Sequence, residues 1–515
     1  MKKIKTQEQC SIVERNGQLV IALNTEKMIP EDAPVRVTDA QLEELDYRRL
    51  YRAFSPKGRN PVTDPRVMFK VLAYLNQLSV FSDRQQEDAC RNRIDVIWLL
   101  GDEPVPDHST IARFKKRCAA EIEDLFYQYT KLLEKQGETD HEVVFVDGTK
   151  IESRAGRYTF CWRGSVEKNL KKLKENAKKL TGAETLEELE NYVGETKPEL
   201  IVSGKGRHKT PAQRNWEKAA GLLQRWKDYL KSLEIMGDDR NSYSKTDPDA
   251  TFMRMKEDHM RNGQLKPGYN VQIGVNSEYI TGIEVFSKRT DYGTLEPFLR
   301  SMEEKHGKKY QKVTADAGYE SLDNYLYLEE NGQMSFIKPQ NHDQLKTKKY
   351  RNQIGRAENM TYNAETDIYI CAAGKELKLI RESKDKYSRH DVTVSHYRCE
   401  NCKGCPKRKE CCQAADPDKP KEIRVRKQYE AKRAVSEANI SGEEGIFLRQ
   451  CRSIQVEGAF GLIKTDFGFR RFLTWGRKSV RTELFFLAMG FNLKKYWKKR
   501  EAGRLRSHLS TIKAS

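Results

Sequence analysis

The sequence has no long apolar run and no export signal. Its longest apolar run, "LFFLAMGF" near residue 485, is far too short to cross a bilayer, and the basic N-terminus "MKKIKTQEQCSIVERNGQLV" lacks an apolar h-region. No internal repeat recurs at the periods of solenoids or propellers. These absences argue against membrane, secreted and repeat proteins, and we expect a soluble protein of the cytoplasm.

A disulfide framework and an acidic excess are also missing. The 11 cysteines are an odd number, and Cys10, Cys90 and Cys118 are widely scattered. Lys and Arg number 94 against 75 Asp and Glu, which gives the 515-residue chain a formal charge of +19. An excess of this size favours a polyanionic partner, and nucleic acid is the first candidate.

The first part of the chain, residues 1–138, is predicted to be a helical DNA-binding domain. Apolar residues recur at spacings of three and four in "RVMFKVLAYLNQLSVFS" and "EIEDLFYQYTKLLEKQ". In "VPDHSTIARFKKRCAAEI", Asp107 or Ser109 could cap a short basic helix. Arg113 and Lys116 on that helix are candidate DNA contacts of a helix-turn-helix-like reader. The alternative is a solvated basic helix face.

Residues 139–340 are predicted to form the first part of a catalytic core. The apolar run in "EVVFVDGTKIES" indicates a buried strand that ends at Asp147, where Gly148 is expected to turn the chain. "YNVQIGVNSEYITGIEVFS" predicts a β-hairpin around Asn276 and Ser277. A helix over roughly 295–306, a strand "KVTADAGY", a helix "LDNYLYLEENG" and a strand "MSFIKP" follow.

Two segments interrupt this order, and a helical region closes it. A Lys-rich helical insertion is expected at about 155–265, and a basic Cys-rich insertion at 341–444. Residues 445–515 hold the last helical patterns and a basic tail.

Three carboxylates are candidate metal ligands. Asp316 in "VTADAGYES" repeats the pattern of Asp147, a short strand that runs into a carboxylate. If the two strands are neighbours, the carboxylates converge and need a cation between them, for which Mg²⁺ or Mn²⁺ fits best. Glu457 in "CRSIQVEGAFGLIKTDFG" is the third candidate. Taken singly, the aspartates could mark ordinary turns, and Glu457 could be a surface helix residue.

Several cations surround Glu457 in the sequence. Lys464 follows it by seven residues, about two α-helical turns, and should share its face. Arg452 is offset from that face by one position but is near enough to reach a phosphate. The candidate DNA-binding residues of this region are Lys464, Arg452, Arg449, Arg470 and Arg471.

These motifs together resemble a known family. "VDGTKIESRAGRYTFCWRGSVEKN", "SKTDPDATFMRMK", "PGYNVQ", "TADAGYES" and "IQVEGAFGLIKTDFGFRRFLTWG" resemble blocks of DDE transposases of bacterial insertion sequences, in particular the insertion-sequence eleven-eighty-two group. The resemblance covers nearly the whole chain. It implies an α/β fold with a ribonuclease-H-like mixed sheet and flanking helices, interrupted by insertions, plus an all-α N-terminal domain.

The resemblance also implies a function. Such a transposase binds the terminal inverted repeats of its own element in double-stranded DNA and cleaves and transfers strands with two Mg²⁺ or Mn²⁺ ions. Asp147, Asp316 and Glu457 would be the catalytic metal ligands, and the pairing of two DNA ends suggests at least a homodimer. Related enzymes often carry a Tyr seven and an Arg four residues before the Glu, but here Gln450 and Ser453 hold those positions.

The cysteine cluster in "YRCENCKGCPKRKECC" is a separate metal signal. Cys399, Cys402, Cys405 and Cys411 have the spacing of a tetrahedral thiolate zinc site, and Cys371 could supply a ligand from a preceding strand. An iron–sulfur cluster is a rival, but the fourth Cys lies too far along the chain. A reduced, metal-free basic loop is the remaining alternative.

Two other functions stay open on the sequence. A domesticated DNA-binding protein could retain recognition without catalysis. A ribonuclease H or junction nuclease shares the core, but such enzymes are usually much shorter and lack these insertions.

Overall fold

The computed structural model describes residues 24–508, except 56, 59, 204–207, 256–262, 386–387, 389, 413, 415 and 417–418. Cys10, the basic N-terminus and the end of the basic tail lie outside the described residues.

The first described part of the chain is helical, as its periodicity predicts. Asp64 caps α4 by accepting hydrogen bonds from two backbone N–H groups, with Pro65 at the first helical position. Asp107 caps α7 by accepting from the Thr110 N–H at 2.6 Å, so the first of the two predicted caps is the one used. The helices are α1 (Thr25–Met28), α2 (Pro34–Glu43), α3 (Arg48–Arg52), α4 (Pro65–Gln77), α5 (Asp83–Asn92), α6 (Ile94–Leu100), α7 (His108–Arg117) and α8 (Ala119–Lys135).

The core and the Lys-rich insertion follow. Their elements are β1 (Val143–Glu152), β2 (Phe160–Trp162), α9 (Arg163–Thr181), α10 (Leu186–Glu195), α11 (Pro211–Met236), β3 (Ser242–Ser244), β4 (Thr251–Arg254), β5 (Leu265–Asn276), β6 (Tyr279–Phe286), α12 (Leu295–His306), β7 (Lys312–Ala315), a 3₁₀ turn (Ala317–Tyr319), α13 (Leu322–Glu330) and β8 (Met334–Ile337). The predicted order of strand, hairpin, helix, strand, helix and strand is confirmed, including the helix over 295–306.

The rest of the chain holds the Cys-rich insertion and the closing helices. Its elements are α14 (His342–Leu345), α15 (Lys348–Arg351), a 3₁₀ turn (Ala357–Asn359), β9 (Thr361–Asn363), β10 (Ile368–Ile370), β11 (Glu376–Lys384), β12 (Thr393–Cys399), α16 (Arg408–Cys411), β13 (Glu422–Val425), α17 (Lys427–Ser441), α18 (Glu443–Arg452), a π turn (Ser453–Glu457), α19 (Gly458–Gly461), a π turn (Leu462–Asp466) and α20 (Arg477–Glu501).

The central sheet has six strands with β1 in its middle. On one side β1 pairs antiparallel with β5, whose far edge pairs with β4 and β6, and on the other side β1 pairs parallel with β7, which pairs parallel with β8. The hairpin of β5 and β6 turns at Ser277 and Glu278, which both have positive φ, as a two-residue hairpin requires. The protein has the mixed α/β architecture of a ribonuclease-H-like core.

One sequence expectation about β1 is wrong. The strand does not end at Asp147, because β1 continues through Gly148 to Glu152 and keeps its antiparallel register with β5 throughout. Only the parallel pairing with β7 stops here, after Val146↔Ala315. Gly148 therefore makes no turn. A Cβ on it would lie 2.2 Å from the buried Gln272 Nε2 and 2.7 Å from the half-buried Asp291 Oδ1, so an added side chain would crowd both residues.

Helices cover both faces of the sheet. One face packs against α12 and α13 around Val144, Val146 and Phe298. The other packs against α20, which also contacts α4 and α8 and so joins the N-terminal helices to the sheet in one apolar core. Gly490 permits the close approach of α20 to α4, since a Cβ there would lie 2.5 Å from the backbone of Asn76.

The two insertions have their own small cores. α9, α10 and α11 bury Leu173, Leu222 and Trp226 among themselves. In the Cys-rich insertion, β9 to β13 form an antiparallel five-stranded sheet in sequential order around Leu377 and Tyr397. Among the described residues, no helix has the length and apolar character needed to span a membrane.

Candidate active site

Asp147 and Asp316 stand side by side on the sheet. Val146 pairs with Ala315 in the parallel register of β1 and β7, and the two aspartates are the residues that follow this pair. Neighbouring strands of a sheet lie about 4.8 Å apart. Asp147 is 7% exposed. Its Oδ1 accepts a hydrogen bond from the Gly148 N–H at 2.7 Å, and Asp316 Oδ1 accepts from the Gly318 N–H at 2.8 Å. The two strands are thus neighbours, which is the condition under which these two carboxylates are predicted to converge.

Arg452 links Glu457 to Asp147, because its guanidinium pairs with both carboxylates. The Arg452 guanidinium lies 3.5 Å from Asp147 Oδ2 through Nη1 and 3.2 Å from Glu457 Oε1 through Nη2. The Ser453 hydroxyl donates to Glu457 Oε2 at 2.9 Å. The Glu457 side chain is 56% exposed, so it faces solvent at the mouth of the site. One positive group therefore bridges the strand carboxylate and the helix carboxylate.

A π turn explains this contact. Residues five apart share a face where the helix bonds from i to i+5, and Ser453–Glu457 is such a turn. The arginine five residues before Glu457 consequently lies where a regular α-helix would place a residue four before. Ser453, which holds the position of the family's usual arginine, binds the carboxylate through its hydroxyl instead. A second π turn, Leu462–Asp466, means that the spacing from Glu457 to Lys464 is not two regular α-helical turns.

Two arginine nitrogens in this helix are buried without a hydrogen bond among the described residues, although one of them, Arg452 Nη1, lies 3.5 Å from Asp147 Oδ2. They are Arg449 Nε and Arg452 Nη1. A buried guanidinium N–H that lacks an acceptor is costly, and an anion is the group that would satisfy it. The two atoms lie on α18, immediately before the turn that carries Glu457.

The donor set suits a hard divalent cation. Carboxylate oxygens are the ligands that Mg²⁺ and Mn²⁺ prefer, and the bridging guanidinium already places positive charge between two of them. As the side chains stand, no group of three or more His, Cys, Asp or Glu in the described part of the chain is arranged to hold a metal ion. Metal binding at these carboxylates would require Arg452 to move.

A fourth carboxylate, Asp291, lies at the same edge and was missed by the sequence reading. Its Oδ1 accepts hydrogen bonds from Asn270 Nδ2 at 2.8 Å and Gln272 Nε2 at 2.9 Å, on β5. The Tyr319 hydroxyl in turn donates to Gln272 Oε1. In the sequence, Asp291 sits in the polar stretch "SKRTDYGT" between β6 and α12, which reads as an ordinary loop.

The pKa of Tyr319 is affected by several carboxylates of this site. Burial, followed by the negative charges of Asp291, Asp147 and Asp316, raises the pKa of the Tyr319 hydroxyl well above its usual range. The phenol therefore stays protonated and acts as a donor. The negative charges of three carboxylates thus act on one buried hydroxyl group.

The other predicted DNA-binding residues divide into two groups. Arg470 Nε donates to the Lys464 carbonyl at 3.2 Å, so these two lie together beyond Glu457. The Arg471 guanidinium donates to the carbonyls of Ser153, Arg154 and Ala155, and it thereby holds the loop after β1.

The N-terminal candidates lie on α7. Arg113 is exposed and bonds its own helix at the Ser109 carbonyl and the Thr110 hydroxyl. Lys116 is exposed and lines a groove of about 770 Å³ between α7 and the segment before α20. Arg471 lines the same groove, so two predicted DNA contacts from distant parts of the sequence meet there.

The cysteine cluster surrounds one small cavity. The cavity has a volume of about 20 Å³, and six cysteines line it: Cys371, Cys399, Cys402, Cys405, Cys411 and Cys412. The backbone N–H of Lys421 donates to Cys402 Sγ at 3.3 Å.

Two of these thiols are neighbours of both Cys399 and Cys411. Burial raises the pKa of Cys399 to about 11, and the Cys402 and Cys371 thiols are further causes of that rise. Burial also raises the pKa of Cys411, with the same two thiols among the further causes. Cys371, which the sequence suggested as a further ligand from a preceding strand, therefore belongs to the cluster.

Comparison with known proteins gives two family matches. The family described as "Transposase DDE domain" matches residues 370–497, and the family described as "Transposase domain (DUF772)" matches residues 23–117. The first match covers Glu457 and its arginines, whereas β1 and β7 lie outside it. No curated protein and no solved structure matches the chain. These two transposase-domain matches, together with the ribonuclease-H-like mixed sheet, support a DDE transposase of an insertion sequence.

Proposed function

We propose that this transposase binds the terminal inverted repeats of its own insertion sequence and performs metal-dependent cleavage and strand transfer of double-stranded DNA. The observations that carry the proposal are the pairing of β1 with β7, which puts Asp147 beside Asp316, and the Arg452 guanidinium, which joins Asp147 to Glu457. The motifs further favour the insertion-sequence eleven-eighty-two group as the source.

Asp147, Asp316 and Glu457 would hold two Mg²⁺ or Mn²⁺ ions. Bound at these carboxylates, the ions would supply Lewis-acid stabilisation of the attacking and leaving oxygens at a DNA phosphodiester. The apolar residues of β1 hold Asp147 rigidly, while the exposure of Glu457 lets it adjust as DNA enters.

Arg452 and Arg449 would bind the DNA backbone. When Arg452 leaves the carboxylates, its guanidinium remains on the same helix and can contact a phosphate oxygen. Arg449 Nε would then gain the acceptor that it lacks, and Arg452 would exchange its ion pairs with Asp147 and Glu457 for one with a phosphate. Lys464, Arg470 and Arg471 would extend this contact, and Arg113 and Lys116 would bind DNA from α7.

A nicking assay tests the proposal. The substrate is a supercoiled plasmid that carries the element's inverted-repeat ends, incubated with Mg²⁺ or with a chelator. We expect nicking only with the metal ion and a loss of at least about 100-fold in Asp147→Asn, Asp316→Asn and Glu457→Gln, more than removal of an outer-shell residue costs. DNA binding, measured by gel shift, should persist in all three.

Glu443→Gln is the matched control, since Glu443 is an exposed carboxylate at the start of α18. It should nick like the wild type. Sequence-specific binding by the wild type with no nicking in Mg²⁺ or Mn²⁺ would refute the catalytic proposal and favour a domesticated DNA-binding protein.

The wider assignments are part of the same proposal. Residues 1–138 would read the DNA ends and 139–340 would hold the first two carboxylates. Residues 341–444 would form a zinc module, and 445–515 would supply Glu457 and the basic tail. The active form would be a homodimer that pairs two ends, working in the bacterial cytoplasm at the nucleoid.

For the cysteine cluster we propose one structural Zn²⁺ bound by Cys371, Cys399, Cys402 and Cys411. The cavity of about 20 Å³ has room for one small ion, and the N–H to sulfur bond at Cys402 is a contact that stabilises a thiolate. Cys371 replaces Cys405 in the set expected from the sequence, because Cys371 and Cys402 are the neighbours of both Cys399 and Cys411.

Zinc content and a cobalt spectrum test this set. Protein purified without chelator should contain one zinc per chain and, after replacement by Co²⁺, show the sulfur-to-metal absorption of a thiolate site. Cys371→Ser should lose the ion, whereas Cys405→Ser should keep it, with Cys161→Ser as the control. A wild-type protein without stoichiometric zinc would refute the site, and loss only in Cys405→Ser would refute the assignment of Cys371.

A further inference from the structure

We infer that Asp291 is a fourth carboxylate of the metal centre and contacts a metal ion held at Asp316. This inference rests on the proposed function. It adds a residue that neither the sequence motifs nor the two family matches assign, since Asp291 lies outside both matched ranges.

The position of Asp291 relative to both strand aspartates is the first support. Asp291 Oδ2 lies 3.5 Å from the point where a Gly318 Cβ would stand, and Asp316 Oδ1 lies 3.0 Å from that same point. Asp291 Oδ1 lies 2.7 Å from the corresponding point on Gly148, the residue after Asp147. Asp291 therefore lies next to both aspartate-bearing segments, where the parallel pairing of β1 and β7 ends.

The second support is that the two carboxylate oxygens of Asp291 make different contacts. Oδ1 accepts both amide hydrogen bonds, from Asn270 and Gln272, which fix the carboxylate on β5. Oδ2 is the oxygen directed at Gly318 and thus toward Asp316. One oxygen anchors the group and the other faces the site, as an outer-shell-supported metal ligand requires.

The absence of side chains at Gly148 and Gly318 is the third support. Any Cβ at Gly148 would collide with Asp291 and Gln272, and a Cβ at Gly318 would stand between Asp291 and Asp316. Gly148 therefore leaves room for Asp291 and Gln272, and Gly318 leaves open the space next to Asp291 and Asp316. Negative groups beside such a space repel one another, and a bound divalent cation removes that repulsion.

Calorimetric titration of the DNA-free protein with Mn²⁺ tests the inference directly. Asp291→Asn is the informative variant, because its amide oxygen can still accept from Asn270 and Gln272 while the negative charge is lost. We expect its Mn²⁺ affinity to fall by at least about 100-fold, more than removal of an outer-shell residue costs. Its melting curve, followed by circular dichroism, should remain cooperative.

Two further variants separate the possible outcomes. Glu296→Gln, at the start of α12 and paired with Arg300, should bind Mn²⁺ like the wild type. Asp147→Asn should lose Mn²⁺ binding if the proposed function is right. Normal binding by Asp291→Asn beside weakened binding by Asp147→Asn overturns this inference alone and leaves Asp291 as an anchor for β5. Normal binding by both variants overturns the metal centre itself.

Discussion

Replacement of Gly148 by alanine should destabilise the protein strongly. The new Cβ would lie 2.2 Å from Gln272 Nε2 and 2.7 Å from Asp291 Oδ1, whereas carbon contacts settle at about 3.5–4.0 Å. Gln272 is fully buried, so its side chain has no solvent to move into. It must give way by about 1 Å or more, or the strand must shift.

The size of the effect follows from the bonds that Gln272 makes. It donates to Asn270 at 3.0 Å and to Asp291 at 2.9 Å, and it accepts from Tyr319. Overpacking costs about 1–3 kcal/mol, and each broken hydrogen bond adds about 1 kcal/mol. We therefore expect a loss of about 2–5 kcal/mol in the free energy of unfolding.

Urea unfolding of three proteins checks this value. Gly221→Ala is the control, because Gly221 lies within α11, where an added Cβ would meet nothing within 4 Å. Alanine should stabilise that helix by up to about 1 kcal/mol. Gly148→Ala with Gln272→Ala should recover part of the loss, since the second change vacates the space. A Gly148→Ala protein within about 0.5 kcal/mol of the wild type would refute the packing described for this edge.

Three other predictions follow from single contacts. Arg452→Gln should tighten Mn²⁺ binding by on the order of tenfold, because it removes a cation that competes with the metal ion for the carboxylates. The same change should lower DNA nicking. Unchanged Mn²⁺ affinity in calorimetry would argue against that competition. Burial lowers the pKa of His141 to about 4 from 6.5. The unfolded chain therefore takes up a proton at His141 before the folded protein does, and the free energy of unfolding decreases as the pH falls from 6.5 toward 4. Over that interval, urea unfolding should show the wild type losing on the order of 3 kcal/mol more than His141→Asn, and parallel losses would contradict the assignment. Lys116→Gln should lower the slope of the logarithm of the DNA-binding constant against the logarithm of the salt concentration by about one unit. Arg471→Gln should chiefly lower the melting temperature. The reverse pattern would make Arg471 the phosphate contact and Lys116 the structural residue.

The order of the core elements could be predicted from the sequence because each element carries a local pattern. Alternation around Asn276 and Ser277 marks the hairpin, and the apolar spacing of residues 295–306 marks α12. Asp147 and Asp316 are also expected to converge if their strands are neighbours, and β1 and β7 are indeed parallel neighbours.

The rest depends on contacts between distant residues. Asp147–Gly148 is a common turn pair, and only Gln272 and Asp291 show why the strand continues through it. Asp291 itself has the composition of a surface loop. The π turn that brings Arg452 to Glu457 has no marker in a pattern scored on α-helical spacing.

The most direct test of the metal centre is a change of ligand at Asp316. Cysteine binds the softer Mn²⁺ better than Mg²⁺, so Asp316→Cys should fail to nick inverted-repeat DNA in Mg²⁺ and regain at least about tenfold activity in Mn²⁺. The wild type should nick in both metals. Wild-type rates for Asp316→Cys in Mg²⁺ would contradict the account, because the carboxylate would then not be a ligand of the catalytic metal.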